Sequence, residues 1–338
     1  MELSTKKIFI GFLVFALLFL IFLGIVGGFL ITKSFGSMGN KSKGKDNIAV
    51  INVTGPIMAG SSGGVFGGNE MASSRDIMKQ IQKAKDDKSI KALLLRVNTP
   101  GGSSAASDSI YRELDKFKQA TEKPIVVSMG DVAASGGYYI SANADEIFAS
   151  PSTITGSIGV IMQFTNMQDL YDKIGVDSVT IKSGPHKDIG SPNREMTAEE
   201  KKMLQDMVDN VYQQFVTAVA EGRDMPKKEV MKLADGRIYN GAKAKKLGLV
   251  DKLGTFYDAV DRTAKLANIK GEPNLVYYNQ ASPIERLLGS INKLITNVLF
   301  KRALEGQLPT NAKKSQVMYQ QLIQQRERTN LENLKLQY

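Results

Sequence analysis

The stretch Pro124-Ile-Val-Val-Ser-Met-Gly-Asp-Val-Ala-Ala-Ser-Gly-Gly137 sets the class of the fold. Its first half, PIVVSM, is a short apolar run. Its second half is built of small residues and glycine and leads into a short helix from about Ser135. A strand with one wet face alternates apolar and polar residues, so an unbroken run predicts a strand buried on both sides. The same grammar occurs upstream. Ala92–Val97 (ALLLRV) reads as a buried strand, Asn98-Thr-Pro-Gly-Gly-Ser103 as its exit turn, and Ser103–Phe117 has helical periodicity. Before these come a strand at Ile48–Val53, a glycine-rich loop at Gly60–Gly68 and a helix at Ser74–Lys85. Glu146–Ala149, Gly159–Met162 and Ser178–Ile181 are further strand candidates. Strand and helix therefore alternate from about residue 48 to 182, which predicts an α/β fold with a sheet covered on both faces.

The pattern then turns helical. Thr197-Ala-Glu-Glu200 has the form of a capping box. Behind it Leu204, Val208, Val211, Phe215 and Val219 share one helical face, and Gly222 is the expected C-cap. Lys227–Ala234 and Phe256–Ala267 read as helices, with the mixed segment Gly236–Asp251 between them. Leu275–Tyr278 is a last strand candidate. An apolar stripe from Ile284 to Leu299 predicts an amphipathic helical extension over 271–308, and the polar residues 309–338 a mobile tail.

Composition excludes several chemistries. The 338 residues contain no cysteine and a single histidine. Disulfides, a thiol nucleophile and thiolate metal sites are thus ruled out. The net charge is +10, with its lysines spread along the chain and no nucleic-acid-binding signature among them. A membrane surface is the partner this charge suits best.

The N-terminus points the same way. Ile8 to Ile31 carries no charged residue, and a helix needs roughly 20 such residues to cross the hydrocarbon core. The run exceeds the roughly 7–15 residues of a cleaved signal. Residues 1–31 are therefore expected to be a short tail and a transmembrane helix, 32–46 a linker, and 47–270 the main domain. Lys6 and Lys7 before the helix and Lys33, Lys41, Lys43 and Lys45 after it oppose each other, so charge alone leaves the orientation open.

Two strand-to-helix turns are candidates for chemistry. In Asn98–Ser103, glycines let backbone N–H groups approach a ligand, and a helix N-terminus adds positive potential. This suits an oxyanion hole and equally an ordinary turn. In Gly130–Gly137, Ser135 stands where a helix cap is common. It also stands where a nucleophile would gain from the Gly136 N–H. Ala133 replaces the first glycine of Gly-x-Ser-x-Gly, so the α/β-hydrolase signature is not met. A nucleophilic hydroxyl needs a base. His186 and Lys187, neighbours in Ser183-Gly-Pro-His-Lys-Asp188, both qualify by type. A lysine must shed its proton far below its ordinary pKa of about 10.4 to serve, and burial in an apolar pocket can bring that about. Ser157, in Thr155-Gly-Ser-Ile-Gly159, is a further hydroxyl between glycines.

Together VNTPGG (Val97–Gly102), ASGGYYIS (Ala134–Ser141), TGSIGV (Thr155–Val160), SGPHKDIGSP (Ser183–Pro192) and GRIYNGAKAKKLGLVD (Gly236–Asp251) resemble the signal peptide peptidase A family in its shorter, Gram-positive form. These are membrane-bound Ser–Lys peptidases of the ClpP/crotonase-like fold, built of repeated ββα units. The motifs stand in family order within a single copy of the core. The resemblance implies Ser135 as nucleophile, Lys187 as general base and Ser157 as the serine that orients the lysine. It implies Gly102 and Gly136 as oxyanion N–H donors and no catalytic role for His186. It further implies remnant signal peptides as substrates, no metal and no cofactor. The catalytic domain would lie outside the cytoplasm, in a homo-oligomeric ring whose neighbouring subunits complete each site. Two other classes share parts of this pattern. A crotonase-type acyl-CoA enzyme could use the same glycines, but such enzymes are usually soluble. An inactive membrane scaffold would have no need of both Ser135 and Lys187.

Overall fold

The computed structural model describes residues 46–60 and 71–278. The expected transmembrane helix, the linker, most of the Gly60–Gly68 loop, the helical extension and the tail lie outside these residues. Among the described residues no helix is long and apolar enough to cross a membrane.

Strands β1 (Asn47–Thr54), β4 (Ile90–Thr99) and β5 (Ile125–Ala134) form the centre of the sheet. Around them the order is β10 (Asn274–Tyr277), β1, β4, β5, β6 (Glu146–Ala149) and β9 (Lys252–Leu253). Every pair along that path is parallel. The apolar runs are unbroken because both faces are covered. On one face Ile51, Val53, Leu93, Leu95, Val97 and Val127 pack in the larger core. On the other, Ile48, Val50, Ala92, Leu94 and Val126 pack with Ala259, Val260 and Ala264 of a helix at Phe256–Leu266. Each fully buried Val, Leu or Ile among them contributes about 1.5–3 kcal/mol.

The larger face carries α1 (Ser74–Asp86), α2 (Ser104–Thr121) and α3 (Gly136–Ser141). Every residue of α3 is buried, and Tyr138 in it donates to the Leu249 carbonyl at 2.9 Å. Next in the chain come β7 (Ile154–Gly156), α4 (Gln168–Ile174), α5 (Ala198–Gly222), α6 (Lys227–Leu233), β8 (Ile238–Asn240) and α7 (Gly241–Lys246); Phe256–Leu266 is α8. A two-residue pair, β2 (Ile57–Met58) with β3 (Ala72–Ser73), forms a separate small sheet.

Strand β5 changes partners along its length. Val126–Ser128 pair with β6, and Val132–Ala134 pair with β7, which in turn pairs antiparallel with β8. The switch follows an irregularity against β4, where Val97 faces Met129 but Thr99 faces Ala133. The Asn98 side chain fills the gap and accepts from the Val132 N–H at 3.1 Å. A Cβ on Gly130 would lie 2.8 Å from the Asn98 side chain, so the position requires glycine.

Three expectations are corrected. Gly159–Met162 is not a strand; the sheet takes Ile154–Gly156 instead, and the next two residues, Ser157 and Ile158, bond to Arg237 and Gly236. Ser178–Ile181 likewise forms no strand. Their β-branched residues favour extended backbone, but a strand exists only where a ladder partner is available. Gly222 is not a left-handed cap: it is the last residue of α5, and Arg223 caps it. Glycine is needed there because a Cβ would lie 2.3 Å from the Ala142 carbonyl oxygen. The Thr197–Glu200 capping box is formed as expected, with bonds of 3.0 and 3.1 Å.

Candidate active site

Ser135 follows the last residue of β5 and precedes α3, with φ 52° and ψ −120°. That conformation is sparsely populated for any residue with a side chain and costs about 1–3 kcal/mol. The backbone holds it: the Ser135 N–H donates to the Gly156 carbonyl at 2.8 Å, and its carbonyl accepts from Tyr139 at 2.9 Å. The hydroxyl makes no capping bond. The ordinary explanation for a serine at a helix start therefore fails here, and the hydroxyl has no partner among the described residues.

The β4–α2 turn lies directly against this serine. Gly101 has φ 99°, and a Cβ there would fall 2.7 Å from the Gly136 nitrogen and 2.8 Å from the Ser135 Cβ. Gly102 has φ 155°, and its Cβ would lie 2.1 Å from the Ile57 carbonyl oxygen. Ile57 grips this turn from the other side. Its N–H donates to Gly101 and its carbonyl accepts from Ser103, each at 2.8 Å. In that parallel bridge the Gly102 N–H points away from Ile57. Neither the Gly102 nor the Gly136 N–H has a hydrogen-bond partner among the described residues. A Cβ on Gly136 would lie 3.4 Å from the Gly102 nitrogen, so the two donors are neighbours. Two free, converging N–H groups beside a free hydroxyl form the geometry of an acyl-transfer site.

A cavity of about 220 Å³ opens over these groups, lined among others by Gly102, Ser107, Ser135, Gly136, Tyr139 and Phe215. Tyr139 stacks edge-on against Tyr111 and Phe215 and donates to Asp108 Oδ1 at 3.0 Å. Burial, and then the Asp108 charge, push its hydroxyl above the usual phenol range, so it stays a donor. Sequence reasoning missed Ser107, Asp108 and Tyr139 as wall residues. The available signal was the face Ser104, Ser107, Asp108 on a helix that starts at the glycine turn.

Ser157 lies beside the nucleophile candidate, one residue beyond the Gly156 that bonds Ser135. Its φ is 51°, its N–H donates to Arg237 at 2.9 Å, and its hydroxyl too has no partner among the described residues. Lys187 is not brought to this place. It is exposed, and it does not line the cavity. Its neighbour His186 lies 3.9 Å from Glu200, in the first turn of α5. The cavity is lined by Val211 and Phe215, further along the same helix. At 1.5 Å per residue these lie about 16 and 22 Å from Glu200 along the axis. Within one chain the lysine turn and the Ser135 cavity thus sit at separate levels of α5. His186 does not line the cavity either and faces Glu199 and Glu200. Among the described residues no group of three or more acidic or histidine side chains could hold a metal.

The profile of Peptidase family S49 matches residues 117–270, and that of Clp protease matches residues 62–155. A chain named as a signal peptide peptidase SppA in Enterococcus faecium is 40% identical over 235 residues, 70% of this chain and 68% of that one. A chain named as a protease in Methanocaldococcus jannaschii is 38% identical over 276 residues, 81% of this chain and 86% of its own. The chloroplastic serine protease SPPA of Arabidopsis thaliana is 31% identical over 288 residues, 82% of this chain but 42% of its longer length. These proteins are named as proteases, which decides between the peptidase and acyl-CoA readings of the glycine turns. With relatives alike along more than two thirds of their own length, and with a Clp-protease-like α/β fold, the chain belongs to peptidase family S49 and is a serine protease of the signal peptide peptidase A type.

Proposed function

We propose that this protein is a membrane-anchored endopeptidase that uses a Ser135–Lys187 dyad to degrade remnant signal peptides. The observation that carries the nucleophile is the strained, uncapped Ser135 beside the free N–H groups of Gly102 and Gly136. In the reaction, neutral Lys187 takes the Ser135 proton as the hydroxyl attacks the peptide carbonyl. The two N–H groups hold the oxyanion, worth about 3–4 kcal/mol per donor. Lys187 then protonates the leaving amine, and water releases the acyl group with the same lysine as base. Ser157 holds the amine in line.

The lysine is supplied by a second copy of the chain. Two observations support this. The Lys187 turn and the cavity lie at different levels of α5. Large apolar residues just ahead of that turn are also uncovered: Val179 is 87% and Ile181 96% exposed. A neighbouring subunit seated on this surface would bury them and would give the lysine the dry surroundings that a neutral amine requires. The apolar segment at 8–31 and the charge of +10 support a single membrane anchor, with the catalytic domain outside the cytoplasm. The deciding experiment is cleavage of synthetic signal peptides by the full chain. Activity that survives Ser135→Ala refutes the nucleophile. Activity that survives Lys187→Ala but not His186→Ala refutes the dyad.

A further inference from the structure

Lys187 sits on a turn with no strand or helix of its own. Its internal backbone bonds are few: Lys187 to Gly184 at 3.3 Å, Ile189 to His186 at 3.1 Å and Ser191 to Asp188 at 3.0 Å. Such a segment presents a side chain reproducibly only if it is tied to something rigid. The tie is Arg194. Its guanidinium donates to Asp188 through Nε at 3.0 Å and Nη2 at 2.7 Å. The same group donates to Glu200 through Nη1 at 2.9 Å and Nη2 at 2.6 Å. Glu200 is the buried third residue of α5 and closes its capping box. One planar cation therefore bridges the residue after Lys187 to the start of a 25-residue helix, by paired bonds on each side.

The bridge also engages the carboxylates that adjoin the lysine turn. Lys182 Nζ adds a bond to Asp188 at 2.7 Å. Asp188 and Glu200 are thus engaged by Arg194 and Lys182, and Lys187 pairs with no carboxylate among the described residues. His186 stands 3.8 Å from Glu199 and 3.9 Å from Glu200, too far for a hydrogen bond. Arg194, ahead of Lys182, holds the Asp188 carboxyl well below the usual range, and Arg194 holds Glu200 down to about 2.

We infer that Arg194 is a positioning residue for the base: it fixes the Lys187 turn to α5 and occupies the two carboxylates that would otherwise favour the lysine ammonium. This rests on the reading of Lys187 as base.

The test measures hydrolysis of a quenched-fluorescent apolar peptide against pH, with the full chain. Wild type is compared with Arg194→Gln, Asp188→Asn and Lys187→Ala. Arg194→Gln frees Glu200 and leaves Asp188 with Lys182 alone, so the acid limb of the kcat profile should move up by about one pH unit. Loosening of the turn should also lower kcat about 10- to 100-fold with KM nearly unchanged. Asp188→Asn removes negative charge and leaves Arg194 and Lys182, so its acid limb should move down. Opposed shifts are beyond a purely structural clamp. A fall in activity with the limb unmoved in both variants overturns the inference. If Arg194→Gln does not fold, Arg194→Lys takes its place: an ammonium lacks the fork that bonds both carboxylates, so the limb should still move up, by less. Lys187→Ala separates the two levels. If it is inactive while the limbs stay put, only the Arg194 role falls. If it remains active, the base reading falls and takes Arg194 with it.

Discussion

Ser135 and Ser157 leave two paired strands side by side, both with positive φ. Ala134 of β5 faces Gly156 of β7, and the next residues of each strand are the two serines, with φ of 52° and 51°. The Ser135 N–H reaches across to the Gly156 carbonyl at 2.8 Å and locks the pair. Both hydroxyls are free among the described residues. A nucleophile and a hydroxyl that receives the lysine amine need this kind of common platform, since strand pairing fixes their spacing more tightly than loops would.

The strain at Ser135 predicts a trade between stability and activity. Glycine has no Cβ and relaxes at positive φ, whereas alanine does not. Ser135→Gly is therefore expected to abolish peptide hydrolysis and to stabilise the fold by about 1 kcal/mol. For a domain of this size that is a rise of about 2–4 °C in Tm. Ser135→Ala should abolish hydrolysis with Tm unchanged. Thermal unfolding of the two variants checks this, and equal Tm values would show that the conformation stores no strain.

The glycine turn makes a second prediction, through a matched pair. Gly236 and Gly101 both have positive φ, but a Cβ meets nothing within 4 Å at Gly236 and meets the Ser135–Gly136 backbone at Gly101. Gly236→Ala should cost about 1 kcal/mol of stability and leave kcat within about twofold. Gly101→Ala should cost more stability and, if the Gly102 and Gly136 N–H groups hold the oxyanion as proposed, lower kcat at least about 100-fold, because it pushes them apart. Comparable kcat losses in both would argue against that role for the turn.

The sheet was legible because burial on both faces writes unbroken apolar runs, as in ALLLRV and PIVVSM. The capping box at Thr197 was legible because its chemistry is local. Gly159–Met162 and Ser178–Ile181 misled for the converse reason. Their composition asks for a strand, but pairing depends on partners that sequence does not name, and here the described residues supply none. Ser135 shows a similar limit: its spacing equally fits a helix cap, and only φ and the missing cap bond separate the two. The separation of Lys187 from Ser135 along α5 has no local sequence signal at all. It follows from where the tertiary fold sets the two ends of one helix.

The Arg194 cluster predicts the acid limit of this region. Asp188 and Glu200 titrate below their unfolded values, Glu200 at about 2, because Arg194 bonds both carboxylates. The folded state thus binds fewer protons than the unfolded chain in this window. Their contribution is complete above the unfolded values near 4 and is lost as pH falls toward 2. Protection factors of the amides across residues 182–200, measured against their intrinsic exchange at each pH, should fall over that window before those of the sheet do. In Glu200→Gln the acid dependence should be shallower. Protection factors that stay constant from pH 5 to 2.5 would show that the carboxylates do not hold the turn.

The placement of Lys187 gives the sharpest prediction. If the dyad formed within one chain, a Ser135→Ala chain and a Lys187→Ala chain would each lack half of every site, and no mixture could recover activity. If the lysine comes from a neighbour, an assembly containing both variants holds some sites with an intact Ser135 from one chain and an intact Lys187 from the other. Co-assembly of the two inactive variants in equal amounts should then restore about a quarter of wild-type hydrolysis, the random fraction of intact pairs in a heterologous ring. The mixture must be formed by co-expression, or by dissociation and reassociation, so that subunits exchange. Recovery near a quarter supports a shared site, and its dependence on exchange excludes contamination by wild type. Absence of recovery in assemblies shown to contain both chains would place base and nucleophile on one chain. That would require the Lys187 turn to move along α5 toward the cavity.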